Sequence, residues 1–108
     1  MRAIDIGWLA GLLEGEGYFR WSKAPNDTYL PLIGVNMTDA DIVRRVQYLF
    51  GTASFSRSIR PSPWKPMFRT VITGSRAVAW MMTLYLFLGE RRRRKIREII
   101  GAWRQSAN

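Results

Sequence analysis

Two glutamates, Glu14 and Glu16, are the residues of this sequence whose type and spacing could most directly do chemistry. They stand in the segment EGEG, each followed by a glycine, at the end of an apolar stretch that begins WLAGLL. Helical periodicity over Ile4–Gly17 predicts a helix, which would place both carboxylates in its last turn. A negative charge there faces the negative end of the helix dipole and is unfavourable unless a cation is close. That cation could be a lysine or arginine in an ion pair, or a divalent metal held by a carboxylate and helix-end carbonyl groups.

The composition restricts the chemistry that these carboxylates could share. The chain of 108 residues contains no histidine and no cysteine, which excludes imidazole acid–base mechanisms, thiol nucleophiles, disulfides and the usual zinc sites. An enzyme of this composition would use carboxylates, basic side chains, hydroxyl groups and a hard cation bound through oxygen. The 17 Lys+Arg against 8 Asp+Glu give a net charge of +9. This excess favours a polyanionic partner, most often nucleic acid, over an acidic membrane surface or a merely solvated surface.

The pattern of charged residues argues against export and against a membrane partner. Asp5 interrupts the N-terminal segment, and no cleavage-like region follows it. The longest uncharged apolar run, Ala77–Gly89, is too short to cross a bilayer. The sequence therefore predicts an intracellular protein that is not secreted.

Small residues recur on one side of the predicted first helix. Gly7, Gly11 and Gly15 are four positions apart and form a bare stripe, with Ala10 close to it. Such stripes let two helix backbones approach closely. Three glycines cost the helix roughly 1 kcal/mol each relative to alanine, so a close contact should offset the cost.

The rest of the chain has the pattern of an α+β fold with antiparallel strand pairs. Alternation in YFRWSK and in YLPLIGVNM, joined by the turn APND, predicts a hairpin. Its second strand should turn Ile33, Val35 and Met37 inward, and Leu32, Gly34 and Asn36 outward.

Two helices and a second hairpin follow. A helix should begin with Thr38 as its N-cap and end at Gly51. The segments TASFSRSI and MFRTVITG predict the second hairpin, around the Pro-rich loop RPSPWKP. An apolar helix over Ser75–Leu88 and a basic helix over Glu90–Ser106 complete the order, with no internal repeat.

The segment LAGLLEGEG resembles the signature nonapeptide of the LAGLIDADG homing endonucleases, with glutamate at both positions where the family usually has aspartate. The predicted element order is similar to the family's αββαββα core. LFLGERRRRKIREII resembles its closing apolar helix, short break and basic helix start. The resemblance implies one LAGLIDADG-type endonuclease domain over residues 1–108. It also implies a four-stranded antiparallel saddle sheet, an additional C-terminal helix and a microbial, phage or organellar setting.

The resemblance also implies a metal site shared between two subunits. The second acid of the motif, here Glu16, would be the catalytic carboxylate that binds Mg²⁺ or another divalent cation, together with the carbonyl group of Gly15. The first acid, Glu14, would be structural at the helix end. Members with a single motif are homodimers whose motif helices pack side by side. The residues implied for that interface are Gly7, Ala10, Gly11, Glu14 and Gly15.

Two further catalytic residues are implied by alignment with the family. The basic residue at the start of the last helix aligns best with Arg91, with Arg92 as a one-residue shift. The remainder of RRRRK would form a solvated phosphate-binding patch. The polar, water-positioning residue at the start of the second helix aligns with Asp39, which could instead serve the helix N-terminus.

The outward face of the sheet would lie in the major groove of DNA, which is wide enough for a β-ribbon. The residues expected on this face are Tyr18, Arg20, Ser22, Asn36, Ser54, Ser56 and Arg69. The register near Arg69 stays open. The residues expected at phosphates are Arg57, Arg60, Lys65 and, at the last helix, Arg92. Trp64 could belong to the core or to the DNA interface.

The sequence therefore favours a homodimeric, Mg²⁺-dependent homing-type endonuclease that cleaves double-stranded DNA at a near-palindromic site. The alternative is a non-cleaving module on the same fold. Such a module would be a DNA-binding regulator, or a maturase that binds intron RNA.

Overall fold

The first helix of the computed structural model runs directly into the first strand, and the remaining elements follow in the predicted order. The structure describes residues 1–106, so the last two positions of the predicted domain, 107–108, lie outside the described residues. A 3-10 turn, Tyr85–Phe87, separates the last two helices. The helices are α1 (Ala3–Glu16), α2 (Ala40–Phe50), α3 (Ser75–Leu84) and α4 (Glu90–Ser106); the strands are β1 (Gly17–Lys23), β2 (Tyr29–Met37), β3 (Ser56–Ser58) and β4 (Met67–Thr73).

The strands form one antiparallel sheet in the order β1-β2-β4-β3. Phe19, Ile33, Val35 and Ile72 point to the same face and belong to the hydrophobic core. The helices cover this face and contribute Leu9, Leu13, Val43, Met81 and Ile96, among others, to the core. The opposite face of the sheet therefore carries the alternate residues of each strand. This arrangement confirms the predicted α+β class and the four-stranded antiparallel sheet.

The register near Arg69, which the sequence left open, is fixed by pairing on both sides of β4. Arg69 lies opposite Asn36 of β2 and opposite Ser56 of β3. All three side chains therefore share the face that the helices leave open.

Two element boundaries differ from the sequence predictions. The N-cap of α2 is Asp39 rather than Thr38, and its side chain makes no capping hydrogen bond. The helix α3 ends at Leu84, because the following turn tightens to 3-10 geometry. This turn brings Leu88 into the core at 4% exposure and leaves Leu86 at 81% exposure.

The outward face of β2 is more buried than simple alternation predicts. Ile33 and Val35 are buried on the inward side as expected, but Leu32 and Gly34 on the outward side are buried as well. Gly34 is covered by the ring of Tyr18 from β1. An aromatic side chain on the neighbouring strand thus covers backbone that the sequence pattern assigned to solvent.

Candidate active site and nucleic-acid interface

The acidic segment EGEG lies where α1 passes into β1 without a loop. Gly17 is the C-cap of α1, and its N–H donates to the carbonyl oxygen of Leu13. A Cβ atom at Gly17 would lie 2.6 Å from Leu13 Cδ2 and 2.9 Å from Leu13 Cα. Only glycine permits this direct passage from helix to strand, which holds Glu14 and Glu16 at the edge of the sheet.

The positive charge that Glu14 needs at the end of α1 is supplied by Arg92 of the same chain. Its carboxylate accepts a hydrogen bond from the N–H of Gly89, and its Oε2 lies 3.7 Å from Arg92 Nε. Arg92 Nη2 also donates to the backbone oxygen of Glu14 at 3.1 Å. A carboxylate and a helix-end carbonyl thus share one arginine, which resolves the electrostatic conflict at this residue. Glu14 joins the end of α1 to the start of α4. This contact agrees with the structural role at the helix end that was expected for Glu14, and its place in a dimer interface stays a prediction.

Glu16 has different surroundings two residues further on. It is exposed, and within residues 1–106 its carboxylate takes part in none of the ion pairs. Its neighbour Gly15 contributes one of the last four carbonyl groups of α1, which have no partner within a helix. Among the described residues, no group of three or more acidic side chains is close enough to hold a metal. At the junction of α1 and β1, the described part of the chain thus offers the unpaired carboxylate of Glu16 and nearby backbone oxygen.

The start of α4 supplies the basic side of this region. A cavity of about 280 Å³ lies between β1 and α4, lined by Tyr18, Phe19, Arg91, Arg92, Arg94, Lys95 and Glu98. Carboxylates pair with Arg92, Arg93, Lys95 and Arg97. Arg91 and Arg94 are exposed and have no such partner in the described part of the chain. The geometry thus separates Arg92, which is engaged with Glu14, from Arg91, which is free.

Glu90 neutralises part of the positive charge of α4 by pairing with Arg93 and Arg97. Arg97 Nη2 donates to Glu90 Oε1 at 2.8 Å, and this bond together with the positive charge of Arg97 holds the pKa of Glu90 below its ordinary value of 4.5. The same bond and one to the Tyr85 hydroxyl raise the pKa of Arg97. Because folding lowers the pKa of Glu90, the pair stabilises the fold above the unfolded-state pKa. That stabilisation is lost as the pH falls through the folded-state pKa.

Asp39 is exposed at the start of α2. Its backbone oxygen accepts from the N–H of Val43 at 3.2 Å, while its side chain makes no capping bond. Asp39 is thus the N-cap residue of α2 without a side-chain capping bond, and its water-positioning role stays a prediction.

The open face of the sheet carries six of the seven residues expected there: Tyr18, Arg20, Ser22, Asn36, Ser56 and Arg69. The seventh, Ser54, differs from expectation because it precedes β3 and is half-buried. Its Oγ accepts from the N–H of Val71 at 3.2 Å, and its backbone oxygen accepts from Thr70 Oγ1 at 2.7 Å. Ser54 therefore ties its loop to β4.

The remaining expected phosphate contacts lie at the β3 edge and in the loop after it. Arg57 is exposed on β3 but lies opposite Phe68, in register with the helix-covered face. Arg60 Nε donates to the backbone oxygen of Lys65 at 2.8 Å and holds the loop closed at its base. Trp64 is 64% exposed and lies beneath the Arg60 guanidinium, 5.6 Å from its central carbon. Trp64 is therefore outside the core.

The glycine stripe of α1 is open to solvent. A Cβ atom added at Gly7, Gly11 or Gly15 would have no neighbour within 4 Å. The prediction that Ala10 lies at the dimer interface is wrong, because Ala10 is 2% exposed and packs into the core of its own chain. The helical turn brings Ala10 to the side of Leu9 and Leu13, away from the stripe.

Two exposed apolar residues beside α1 were missed by the sequence reasoning. Leu86 and Phe87 lie in the 3-10 turn that packs against α1, and they are 81% and 64% exposed. Ile4 of α1 is 68% exposed. The sequence predicted that Leu86 and Phe87 belong to an apolar helix over Ser75–Leu88, whereas they lie beyond its end at Leu84. Hydrophobicity alone does not specify which apolar side chains the folded chain buries and which it leaves exposed.

Helices packed on one face of a four-stranded antiparallel sheet, with Arg20 and Arg69 on the open face opposite, define an α+β fold. A family model described as a LAGLIDADG-like domain matches residues 3–101. The chain belongs to this family.

Solved structures of homing endonucleases share the fold. I-CvuI in complex with the I-CreI target in the presence of Mg is 15% identical with a TM-score of 0.71, over 97% of this chain and 69% of that chain. The archaeal intron-encoded I-Vdi141I complexed with DNA is 12% identical with a TM-score of 0.61, over 88% of this chain and 65% of that chain. I-TnaI is 15% identical with a TM-score of 0.64, over 87% and 67%.

No curated protein matches the sequence significantly. Within residues 1–106, none of the helices has the length and apolar character needed to span a membrane.

Proposed function

We propose that this chain is a site-specific, homing-type DNA endonuclease that acts as a homodimer and hydrolyses phosphodiester bonds with a divalent cation. The observation that carries the proposal is the contrast between the two acids of EGEG. Glu14 is satisfied inside its own chain, whereas Glu16 is exposed and unpaired among the described residues at the edge of the sheet. Membership of the LAGLIDADG family and the DNA complexes of structurally similar homing endonucleases support it.

The second copy is needed because each chain supplies one free motif carboxylate. The open stripe of Gly7, Gly11 and Gly15 lets the α1 helices of two copies approach closely. Exposed Leu86 and Phe87 beside α1 would be buried by the same contact. A twofold axis between the α1 helices brings the two Glu16 residues together and makes a near-palindromic DNA site the natural target.

The donor chemistry fits a hard cation. Glu16 carboxylate oxygens and Gly15 carbonyl oxygens from two copies are the oxygen ligands that Mg²⁺ uses, with water completing its shell. A bound divalent cation would neutralise phosphate charge and supply an activated water. The protein's part is to hold these oxygens at the junction of α1 and β1, next to the open face that receives DNA.

Two exposed side chains complete the proposed site. Arg91, which is free of carboxylate partners in residues 1–106, would donate to a phosphate oxygen and stabilise the charge that develops during hydrolysis. Asp39, whose side chain makes no capping bond, would orient a water molecule. Arg92 is engaged with Glu14 and would support the site by fixing the end of α1.

The test compares Glu16→Gln with the wild type on a DNA site selected from a randomised duplex library. With Mg²⁺, the wild type is expected to cleave the selected site. Glu16→Gln should lower the cleavage rate by about 100-fold or more, because it removes a charged metal ligand. Its affinity for the site should persist or improve, because a negative charge is removed from the phosphate surface.

Asp41→Asn is the matched control, since Asp41 is an exposed carboxylate in the first turn of α2. It should leave the cleavage rate within about threefold of wild type, because it removes the same charge as Glu16→Gln from a residue that has no part in the proposed site. A selected site that the wild type binds but never nicks with any divalent cation would replace this proposal with the non-cleaving regulator or the maturase.

A further inference from the structure

One aromatic ring on the open face of the sheet connects three strands. Tyr18 of β1 lies opposite Gly34 of β2, and its ring extends across Gly34 towards β4. There its hydroxyl oxygen accepts a hydrogen bond from Arg69 Nε at 3.0 Å. On β1 itself, the guanidinium carbon of Arg20 lies 4.5 Å from the centre of the same ring. Tyr18 thus contacts two arginines that stand on strands separated by β2.

Gly34 is the residue that permits this arrangement. A Cβ atom at position 34 would overlap the Cζ, Cε2 and hydroxyl oxygen of Tyr18. Glycine in the middle of a strand weakens it, and its presence commonly marks close approach of another group. Here that group is the Tyr18 ring, which covers Gly34 and leaves it buried.

The contacts with Tyr18 leave the terminal amino groups of both arginines available for contacts with bases. Arg69 uses its Nε toward Tyr18, so its two terminal amino groups can form the bidentate contact that recognises guanine in the major groove. Arg20 and Arg69 are exposed while Tyr18 is half-buried. A free arginine side chain loses most of its rotamer freedom when it is ordered. Ordering by Tyr18 removes part of that loss from the binding step.

We propose that Tyr18 is a positioning residue that presents Arg20 and Arg69 together, so that the two arginines discriminate bases as a unit. The proposal rests on the proposed DNA-binding function and adds to it the determinant of specificity. The ring face attracts the Arg20 cation, and the hydroxyl oxygen holds Arg69. Loss of either contact releases one arginine into many rotamers.

The experiment measures base preference at each position of the target by selection from a randomised duplex library. It compares wild type, Tyr18→Phe, Arg69→Ala and the double variant. Tyr18→Phe keeps the ring over Gly34 and removes only the acceptor for Arg69. It should reduce preference by about 3- to 10-fold at the positions that depend on Arg69, while affinity for random-sequence duplex stays within about twofold, because the charge is unchanged.

The double variant separates positioning from direct contact. If Tyr18 acts through Arg69, then Tyr18→Phe should have no further effect at those positions in the Arg69→Ala background. Tyr29→Phe is the matched control: it removes an exposed hydroxyl from β2, where the ring stacks on Trp21 at 6.1 Å. It should leave the preference profile unchanged.

Two results would overturn the positioning role of Tyr18 without contradicting the proposed function. An unchanged profile for Tyr18→Phe would show that Arg69 needs no positioning. A loss that persists in the Arg69→Ala background would show that the Tyr18 hydroxyl itself contacts DNA. A wild-type chain that enriches no DNA sequence would instead contradict the proposed function, and the positioning role with it.

Discussion

Glu14 and Glu16 differ in their surroundings because a distant part of the chain contacts only Glu14. Gly89 and Arg92, at the start of α4, approach Glu14 so closely that a Cβ atom at Gly89 would lie 3.0 Å from its carboxylate. The sequence predicted that these acids need a cation and left an arginine and a metal open. The structure supplies an arginine for Glu14. The contact between Glu14 and Arg92 spans 78 positions, so local pattern could not have found it.

Substitution of Glu14 tests its structural role. Glu14→Gln keeps a hydrogen-bond acceptor for Gly89 but removes the charge beside Arg92. Because the side chain is 40% exposed, we expect the free energy of unfolding to fall by only about 1 kcal/mol, measured by urea denaturation.

The control for Glu14 is Glu98→Gln, since Glu98 is 63% exposed and lies 4.0 Å from Lys95. It should change the free energy of unfolding by less than about 0.5 kcal/mol. Equal effects of the two substitutions would contradict the assignment of Glu14 as the link between α1 and α4.

The face of the sheet on which each residue lies could be predicted where alternation governs it. Tyr18, Arg20 and Asn36 follow the period of two in strands that pair along their whole length. Ser54 and Ala10 did not follow the prediction, because each is drawn inward by its own chain: Ser54 by hydrogen bonds to β4, and Ala10 by core packing. Such inward contacts depend on tertiary neighbours rather than on sequence spacing.

At the scale of elements, hydrophobic periodicity and turn residues specify the order of helices and strands. Gly51, with φ of 68°, ends α2 as the sequence predicted. The predicted end of α3 at Leu88 was wrong, since the helix ends at Leu84. The apolar pattern continues through Leu86 and Phe87, although the backbone there forms a 3-10 turn. Their exposure beside α1 extends the apolar surface around the glycine stripe.

The proposed interface can be tested by adding bulk to the stripe. Gly11→Leu places a good helix former at an open position, so the monomer should remain folded. The same side chain would hold two α1 helices apart, and we expect self-association to weaken by about 10-fold or more, measured by sedimentation equilibrium.

Gly101→Leu is the matched control, because Gly101 also lies in a helix and has no neighbour within 4 Å of an added Cβ. It should leave self-association unchanged. If Gly11→Leu associates as strongly as the wild type, α1 does not form the interface between two copies.

At the scale of the whole molecule, the basic surface and the glycine stripe of α1 lie on different sides of the chain. The open face of the sheet carries Arg20 and Arg69, and the start of α4 adds Arg91 and Arg94. The glycine stripe of α1 leads to the edge of that basic surface, where Glu16 stands. A net charge of +9 predicted a polyanionic partner, but the distribution of that charge over the surface depends on the fold.

The most direct test uses the absence of cysteine from the sequence. Gly7→Cys, Gly11→Cys and Gly15→Cys each place a single thiol on the stripe, and Gly101→Cys places one on α4 as the control. A disulfide requires Cα atoms within about 7 Å, so rapid formation reports close helix approach.

We predict that mild oxidation gives a disulfide-linked dimer rapidly with at least one of the three stripe variants, and only slowly with Gly101→Cys, as resolved on non-reducing gels. If all three stripe variants stay folded and cross-link no faster than Gly101→Cys, two copies do not meet along α1. Glu16 would then have no partner carboxylate, and the shared active site would be refuted.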